Sequence, residues 1–508
     1  MPQGILPFEY EEEKSSSGMT SLGGLPTYPD LTVVIGLTDS IRKHIKVSGE
    51  QGWTDVQVIV SLVLLNLSGG ECVEDLKILE KDEGVNKVLR RIETHGMKRR
   101  ERRELERRWR KARQRSVPSP SATFRYLEGF HDEEEELKRE EGRAFIPSSN
   151  KHLQGLTRVN ADMISFLQSK SPQSVATLDQ DATLIETHKS GALHCYKGYK
   201  AYQPLNTWWD EQGVVIHSEF RDGNVPAGHE QKRVLEESLD CLPPGVKKVF
   251  LRSDTAGYQH ELLKYCAEGK NPRFGVIKFA VGVDVTDSFK KAVGEVSEEE
   301  WNPLYRKVNG KLQETNQEWT EVCYVPSWVA RSKKGPEYRF IAIRESLGQL
   351  ELPGMETEQQ ELPFPTMEFN EVGRYKVSGI VTNRQIPGEE LIRWHRKRCG
   401  RSEQVHAVMK DDLTGGKLPS KNFGANAAWW QIMLLSLNLN SIMKSLVIGE
   451  SWTTKRMKAI RFSIINLPGR IVEGGGKLII RLTSGHPTNE LILKMRERIM
   501  ELACAPSG

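Results

Sequence analysis

Asp179, Asp181, Asp254 and Glu403 are the residues of this sequence best placed to do chemistry. Asp179 and Asp181 lie two apart in a strand-like run, LDQDATLIE, so their side chains share one face. Asp254 closes an apolar run, KVFLRS, immediately before a turn. Glu403 belongs to an arginine-rich helical stretch, RWHRKRCGRSEQVHAVMKDD. In open α/β sheets, carboxylates at strand ends border the ligand crevice. Three carboxylates from two strands and a helix can hold a pair of divalent cations roughly 3.5–4 Å apart. Such a pair activates a water or 3′-hydroxyl and stabilises the leaving oxygen of a phosphodiester. Hard oxygen ligands select Mg²⁺ or Mn²⁺ over zinc. Singly these acids mean less, since a strand-end Asp commonly forms a turn and a helical Glu among arginines commonly forms an ion pair.

The elements needed to position them can be read from the pattern. From Ser174 strand-like runs (Val175–Ile185, Gly213–Glu219, Lys248–Ser253, Arg273–Ala280) alternate with helical ones (His229–Leu239, His260–Ala267), which predicts a sheet with helices on its faces. Asp254 and Glu403 are 149 positions apart (403 − 254), too far for an uninterrupted small core. Short strands between Gly, Pro and Glu-rich turns fill that gap as a β-rich insertion, and helix resumes over Gly388–Asp412 and Asn426–Leu446. Upstream, Leu37–Leu89 has helical spacing, with Trp53, Val56, Ile59 and Leu62 recurring before Gly69-Gly70. The expected organisation is a flexible tail (1–30), a helical, partly basic DNA-binding and dimerisation region (31–170) and the first part of an α/β core (171–300). A β-rich insertion (301–382), the rest of the core with the Glu403 helix (383–450) and a C-terminal region (451–508) follow.

Charge is unevenly spread. The chain carries a net +4, yet Lys98–Arg115 alone holds eleven Lys/Arg against three Glu, or +8 (11 − 3), leaving about −4 for the rest. Such a run, containing Arg99, Arg103, Arg107 and Arg110, is suited to DNA phosphates, with a merely solvated, charged helix the alternative. The pairs Trp208-Trp209 and Trp429-Trp430 are expected in the core, with stacking on flipped bases the alternative. Seven cysteines at irregular spacing, with no C-x-x-C, speak against a zinc ribbon or disulfide framework and fit a reducing cytoplasm. With 38% hydrophobic residues and no apolar run near the roughly 20 residues of a membrane helix, no membrane association is expected. Met1–Gly24 lacks the basic start and apolar core of a secretory signal.

Taken together these residues resemble the DDE transposases of bacterial insertion sequences, specifically the insertion-sequence-four superfamily and its group 1 DDE domain. Asp181-Ala182-Thr183 is similar to the family's Asp-x-Thr strand, and Leu251-Arg252-Ser253-Asp254 to its second acid. Glu403 and Lys410 have the six intervening residues of the family's Tyr-x-x-Arg-x-x-x-Glu-x₆-Lys helix, and FGANAAWW resembles the segment after it. Two departures stand out. His395 replaces the Tyr, and Arg398 is five rather than four before Glu403, about 140° away on an ideal helix. A bulge at Cys399-Gly400 would return Arg398 to the Glu403 face.

The resemblance implies an RNase H-like core with a β-rich insertion, preceded by a helical N-terminal domain. It implies Asp181, Asp254 and Glu403 as catalytic residues and ligands of two Mg²⁺ or Mn²⁺ ions, with Asp179 structural. Arg398, Lys410, Arg99, Arg103, Arg107 and Arg110 would hold DNA phosphates. The implied activity is cut-and-paste transposition: binding of terminal inverted repeats, hydrolysis at the element end, and attack of the freed 3′-hydroxyl on target DNA. The partners would be double-stranded DNA and a second copy of the chain, in the bacterial cytoplasm at the nucleoid. An RNase H-like nuclease without strand transfer and a domesticated DNA-binding derivative are the rival readings.

Overall fold

The structure is a computed structural model that describes residues 18–49, 52–108, 116–140, 142–308, 310–326, 336–347, 364–369, 373–475 and 477–504. It is a multidomain α/β chain in two compact units: Met1–Lys138 with Ser148–Lys170 and Val408–Gly508, and Arg139–Pro147 with Ser171–Ala407.

The first unit is built on the helix Phe423–Ile442, which is buried nearly all round and is packed on by Lys151–Lys170, Asp55–Ser68 and Pro120–Glu128. A helix apolar on every side must be enclosed. Phe423–Ile448 is in fact long and apolar enough to cross a membrane, although the sequence reading found no such run, but most of it is buried inside this unit. The polar side chains it carries inward are paired, as burial requires. Asn440 accepts from the Tyr28 hydroxyl at 2.8 Å, Asn438 donates to Asn160 at 2.7 Å, and Ser436 accepts from Asn66 at 3.3 Å. Asp55–Ser68 starts in a Thr54/Gln57 capping box and stops at Gly69, whose φ of 99° suits glycine. The strand β1 (Met19–Thr20) joins β15 (Gly469–Gly474) and β16 (Lys477–Leu482) in a small antiparallel sheet.

Glu93, at the end of the helix Glu83–Glu93, is buried and one of its carboxyl oxygens has no hydrogen-bond partner among the described residues. Burial pushes its pKa up to about 8, against the opposing pull of Gln57 and Arg90. The folded chain therefore holds a proton that the unfolded chain releases near its ordinary 4.5, so this contribution to stability is lost as pH rises toward about 8. Glu93→Gln is expected to flatten that loss. Urea unfolding of parent and variant at about pH 5 and about pH 9 checks it, and parallel pH dependences would contradict it.

The second unit contains one ten-stranded mixed sheet. Its strands are β2 (Val175–Ala182), β6 (Leu205–Trp209), β7 (Val214–Glu219), β8 (Lys248–Ser253), β9 (Lys278–Val283), β10 (Asn302–Val308), β11 (Lys311–Val322), β12 (Arg339–Ser346), β13 (Thr366–Phe369) and β14 (Gly373–Thr382). The order is β10-β11-β12-β14-β9-β8-β2-β6-β7, with β13 on β14. Only β2, β8 and β9 run parallel; every other pairing is antiparallel. Strands β10–β14, from the β-rich stretch, extend this sheet instead of forming a layer of their own. A separate three-stranded sheet, β3 (Ile185–Glu186), β4 (Leu193–His194) and β5 (Lys200–Tyr202), lies between β2 and β6 in sequence.

The late helix Gly388–Ala407 packs across the sheet. Leu391 and Ile392 join Ala280, Ile341, Ile343 and Ile380 in one apolar cluster. Each fully buried side chain of this size contributes roughly 1.5–3 kcal/mol. The helix is α-helical through Cys399 and Gly400, and the π-helical turn falls later, at Val408–Asp412. The bulge expected at Cys399-Gly400 is therefore absent, and the only irregularity of this stretch lies beyond Ala407.

Candidate active site

The parallel pairing of β2 with β8 sets Gln180 opposite Ser253, so Asp181 and Asp254, the next residues of each chain, stand at neighbouring strand ends. Both line an open crevice of about 680 Å³ with Asp284, His229 and Gln259. Asp284 follows β9, the third parallel strand, so three adjacent carboxyl ends each carry an aspartate to one crevice. Sequence reasoning missed Asp284. The signal that found Asp254, an apolar strand ending in Asp, is repeated in KFAVGVD.

The electrostatics reflect that gathering. Burial pushes the Asp181 carboxyl up to about 6; Arg398 opposes the rise, and the Asp254 and Asp179 charges add to it. Asp284 is raised by burial and by Asp254. Asp254 also caps the turn Thr255–Gly257, one oxygen accepting from the Ala256 amide at 3.0 Å, so its turn-forming role and its place on the crevice coexist.

Asp179 is differently employed. It is buried in a bidentate pair with Arg252, at 2.5 and 2.7 Å, and Arg252 also reaches Asp210 at 3.1 Å and the Trp394 carbonyl at 3.1 Å. Asp210 in turn pairs with Arg401.

On the late helix the inward stripe is His395, Arg398 and Ser402. His395 donates through Nε2 to the Ser253 carbonyl at 2.9 Å; burial holds its pKa down at about 4, so it is a neutral donor at physiological pH. Arg398 pairs with Asp181 at 3.4 Å, and its Nε has no hydrogen-bond partner among the described residues. His406 approaches Asn206, the β6 partner of Asp181, at 3.4 Å. Glu403 lies along the helix between these two anchors but one position past the inward stripe, where it is exposed and in no ion pair among the described residues. The position four after Arg398 is Ser402. The structure thus brings Asp181, Asp254 and Arg398 together and leaves Glu403 exposed on the late helix, off the crevice lining. Among the described residues no three His, Cys, Asp or Glu side chains are gathered closely enough to hold one metal ion.

The remaining predicted phosphate-binding positions fall in the first unit's range. Lys410 is in the π-helical turn Val408–Asp412. Arg99, Arg103 and Arg107 are exposed on the helix Arg99–Arg108, and Arg110 lies outside the described residues. Trp209, Trp429 and Trp430 are fully buried, with the Trp209 and Trp429 indoles donating to backbone carbonyls, while Trp208 is half-buried.

Comparison with known proteins adds a family. The pattern described as transposase DDE domain, group 1, matches residues 13–504. Among solved structures, the piggyBac transposase synaptic complex with hairpin DNA, determined by cryo-EM, is similar at a TM-score of 0.42 and 10% identity, over 96% of this chain and 82% of that one. No curated protein sequence matches.

Proposed function

The chain belongs to the group 1 transposase DDE domain family, and from that premise we propose that it cuts and joins DNA at the ends of an insertion sequence. The observation that supports this most directly is the pair Asp181 and Asp254, on adjacent parallel strands, facing one open crevice. The RNase H-like reading of the core rests on the same arrangement.

The donor set suits a divalent cation: carboxylate oxygens, mutually repelling, at a crevice lined by no thiol among the described residues. Asp181 and Asp254 would hold Mg²⁺ or Mn²⁺, with Glu403 the proposed third ligand of a two-ion site. Bound there, the ions supply Lewis acidity for an attacking oxygen at a phosphodiester. The rest is done by the chain itself. Arg398, which pairs with Asp181 at the crevice, is assigned to a phosphate oxygen at the cut end. Lys410 is assigned to a phosphate as well. Neutral His395, through Ser253, and Arg252, through Trp394, fix the helix that carries Arg398. The exposed arginines of Arg99–Arg108 would contact phosphates of the terminal repeat, and pairing of two ends calls for a homodimer. Cut-and-paste excision in a bacterial cytoplasm completes the proposal.

The test is purified protein with a duplex containing the DNA that flanks its coding sequence, with Mg²⁺ or with EDTA. Nicks with joined products are expected with Mg²⁺ and none with EDTA. Nicks without joining would identify a nuclease, and binding alone a non-catalytic derivative. Replacing Arg99, Arg103 and Arg107 by Ala is expected to weaken binding to all duplexes alike and to flatten the salt dependence by about 0.9 log–log units per lost phosphate contact. An unchanged slope would return this helix to a merely solvated role.

A further inference from the structure

Beside the aspartate pair the crevice has an unusual wall. Tyr196 lines it, yet the residue is 77% exposed, among the most exposed large apolar side chains described. It sits at the tip of the β4–β5 hairpin, and that hairpin is held tightly. The Cys195 amide donates to the Tyr199 carbonyl at 2.8 Å, and the Gly198 amide to the Cys195 carbonyl at 2.9 Å, with Gly198 at φ 83°. At its base Tyr202 stacks on Phe220, centroids 4.9 Å apart. A Cβ on Gly223, another residue of the crevice, would lie 2.4 Å from the Ala201 carbonyl oxygen and 2.8 Å from that of Leu193, so the hairpin backbone rests directly on the crevice wall. Lys197 places its ammonium 5.8 Å from the Tyr196 ring centroid.

An aromatic ring left in water on a stiff hairpin, with a cation beside it and two carboxylates in the same crevice, has the composition of a nucleotide platform. Bases stack on aromatic faces whatever their identity, while a neighbouring cation takes the phosphate. We infer that Tyr196 stacks on an unpaired base flanking the phosphodiester cut at Asp181 and Asp254, with Lys197 on the adjoining phosphate, making Tyr196 a positioning residue of the cut end. The inference rests on the DNA-cutting function proposed above. The strand would then pass the hairpin with a base splayed from the duplex.

The experiment uses the full chain without divalent cation and a duplex of the flanking DNA whose end is frayed by mismatches. 5-Iododeoxyuridine is placed at each nucleotide next to the cut. Irradiation is expected to cross-link one of these positions to Tyr196. Tyr196→Ala should lose the cross-link and about tenfold to a hundredfold in affinity for the frayed end, with its affinity for fully paired DNA within about threefold of the parent. Tyr196→Phe and Tyr196→Trp should keep both the cross-link and the affinity, which a role through the hydroxyl or through folding would not allow. A parent that binds and, with Mg²⁺, nicks the duplex but cross-links elsewhere would overturn this inference alone, as would a Tyr196→Ala variant indistinguishable from the parent. A parent that neither binds nor nicks would overturn the underlying function, and this inference with it.

Discussion

Arg252→Met is expected to lower the stability of the second unit by about 3–5 kcal/mol. The guanidinium and the Asp179 carboxylate are both essentially without solvent exposure, and the pair is bidentate at 2.5 and 2.7 Å. Removing one member of a buried pair leaves the other charge with neither water nor partner, which costs far more than the intact pair gains. Met keeps most of the volume, so a cavity contributes little. The change also removes the hydrogen bond to the Trp394 carbonyl and the cation over the Trp394 ring, 5.3 Å away, and thus loosens the late helix. Adding Asp179→Leu should recover much of the loss, because the orphaned carboxylate goes with it. Urea unfolding followed by tryptophan fluorescence measures both, treated as separate unit transitions. A single variant within 1 kcal/mol of the parent (roughly a fivefold change in the unfolding equilibrium) would show that water reaches Asp179.

Asp179 and Asp181 were legible as a same-face pair because strand periodicity is local. Their division of labour came only from the Asp-x-Thr resemblance; the partner behind it, Arg252 reaching across from β8, is non-local and had no signal in the pattern. Lys248–Ser253 and His260–Ala267 match the expected runs, being bounded by clear turns. Arg273–Ala280 does not; the strand is Lys278–Val283. Asn271 takes the amides of Arg273 and Phe274 at 2.9 Å, and Gly275 has φ 59°, so side-chain turn chemistry claims the first residues of an apolar run. The hairpin bearing Tyr196 went unseen because its strands are two and three residues long, below the reach of any periodicity. The first unit was equally hidden. Tyr28 bonds to Asn440 across 412 positions, and no local pattern encodes a core assembled from both ends of a chain.

The same distinction between local and non-local information governs the last prediction, on the acids themselves. Asp181→Asn and Asp254→Asn are each expected to reduce cleavage by more than about a hundredfold, since changes merely behind metal ligands already cost about 10–100-fold. DNA binding should persist or tighten, because each substitution removes a negative charge from a crevice meant for phosphates. Glu403→Gln should lose cleavage to a similar degree if this residue is the third ligand, even though its side chain faces outward in the α-helical register. The geometry supplies a sharper comparison. Ser402, four after Arg398, holds the inward position that the family's spacing gives to the acid. Exchanging the two residues, Ser402→Glu with Glu403→Ser, moves the carboxylate about 100° round the helix toward Asp181 without changing the charge. The exchanged protein is expected to bind Mn²⁺ more tightly than the parent in the absence of DNA, by calorimetry, whereas Ser402→Ala alone should alter cleavage less than about tenfold. Near-normal cleavage by Glu403→Gln would remove this residue from the site. Asp284, already on the crevice beside Asp254, would then be the nearest carboxylate left to examine as the third ligand.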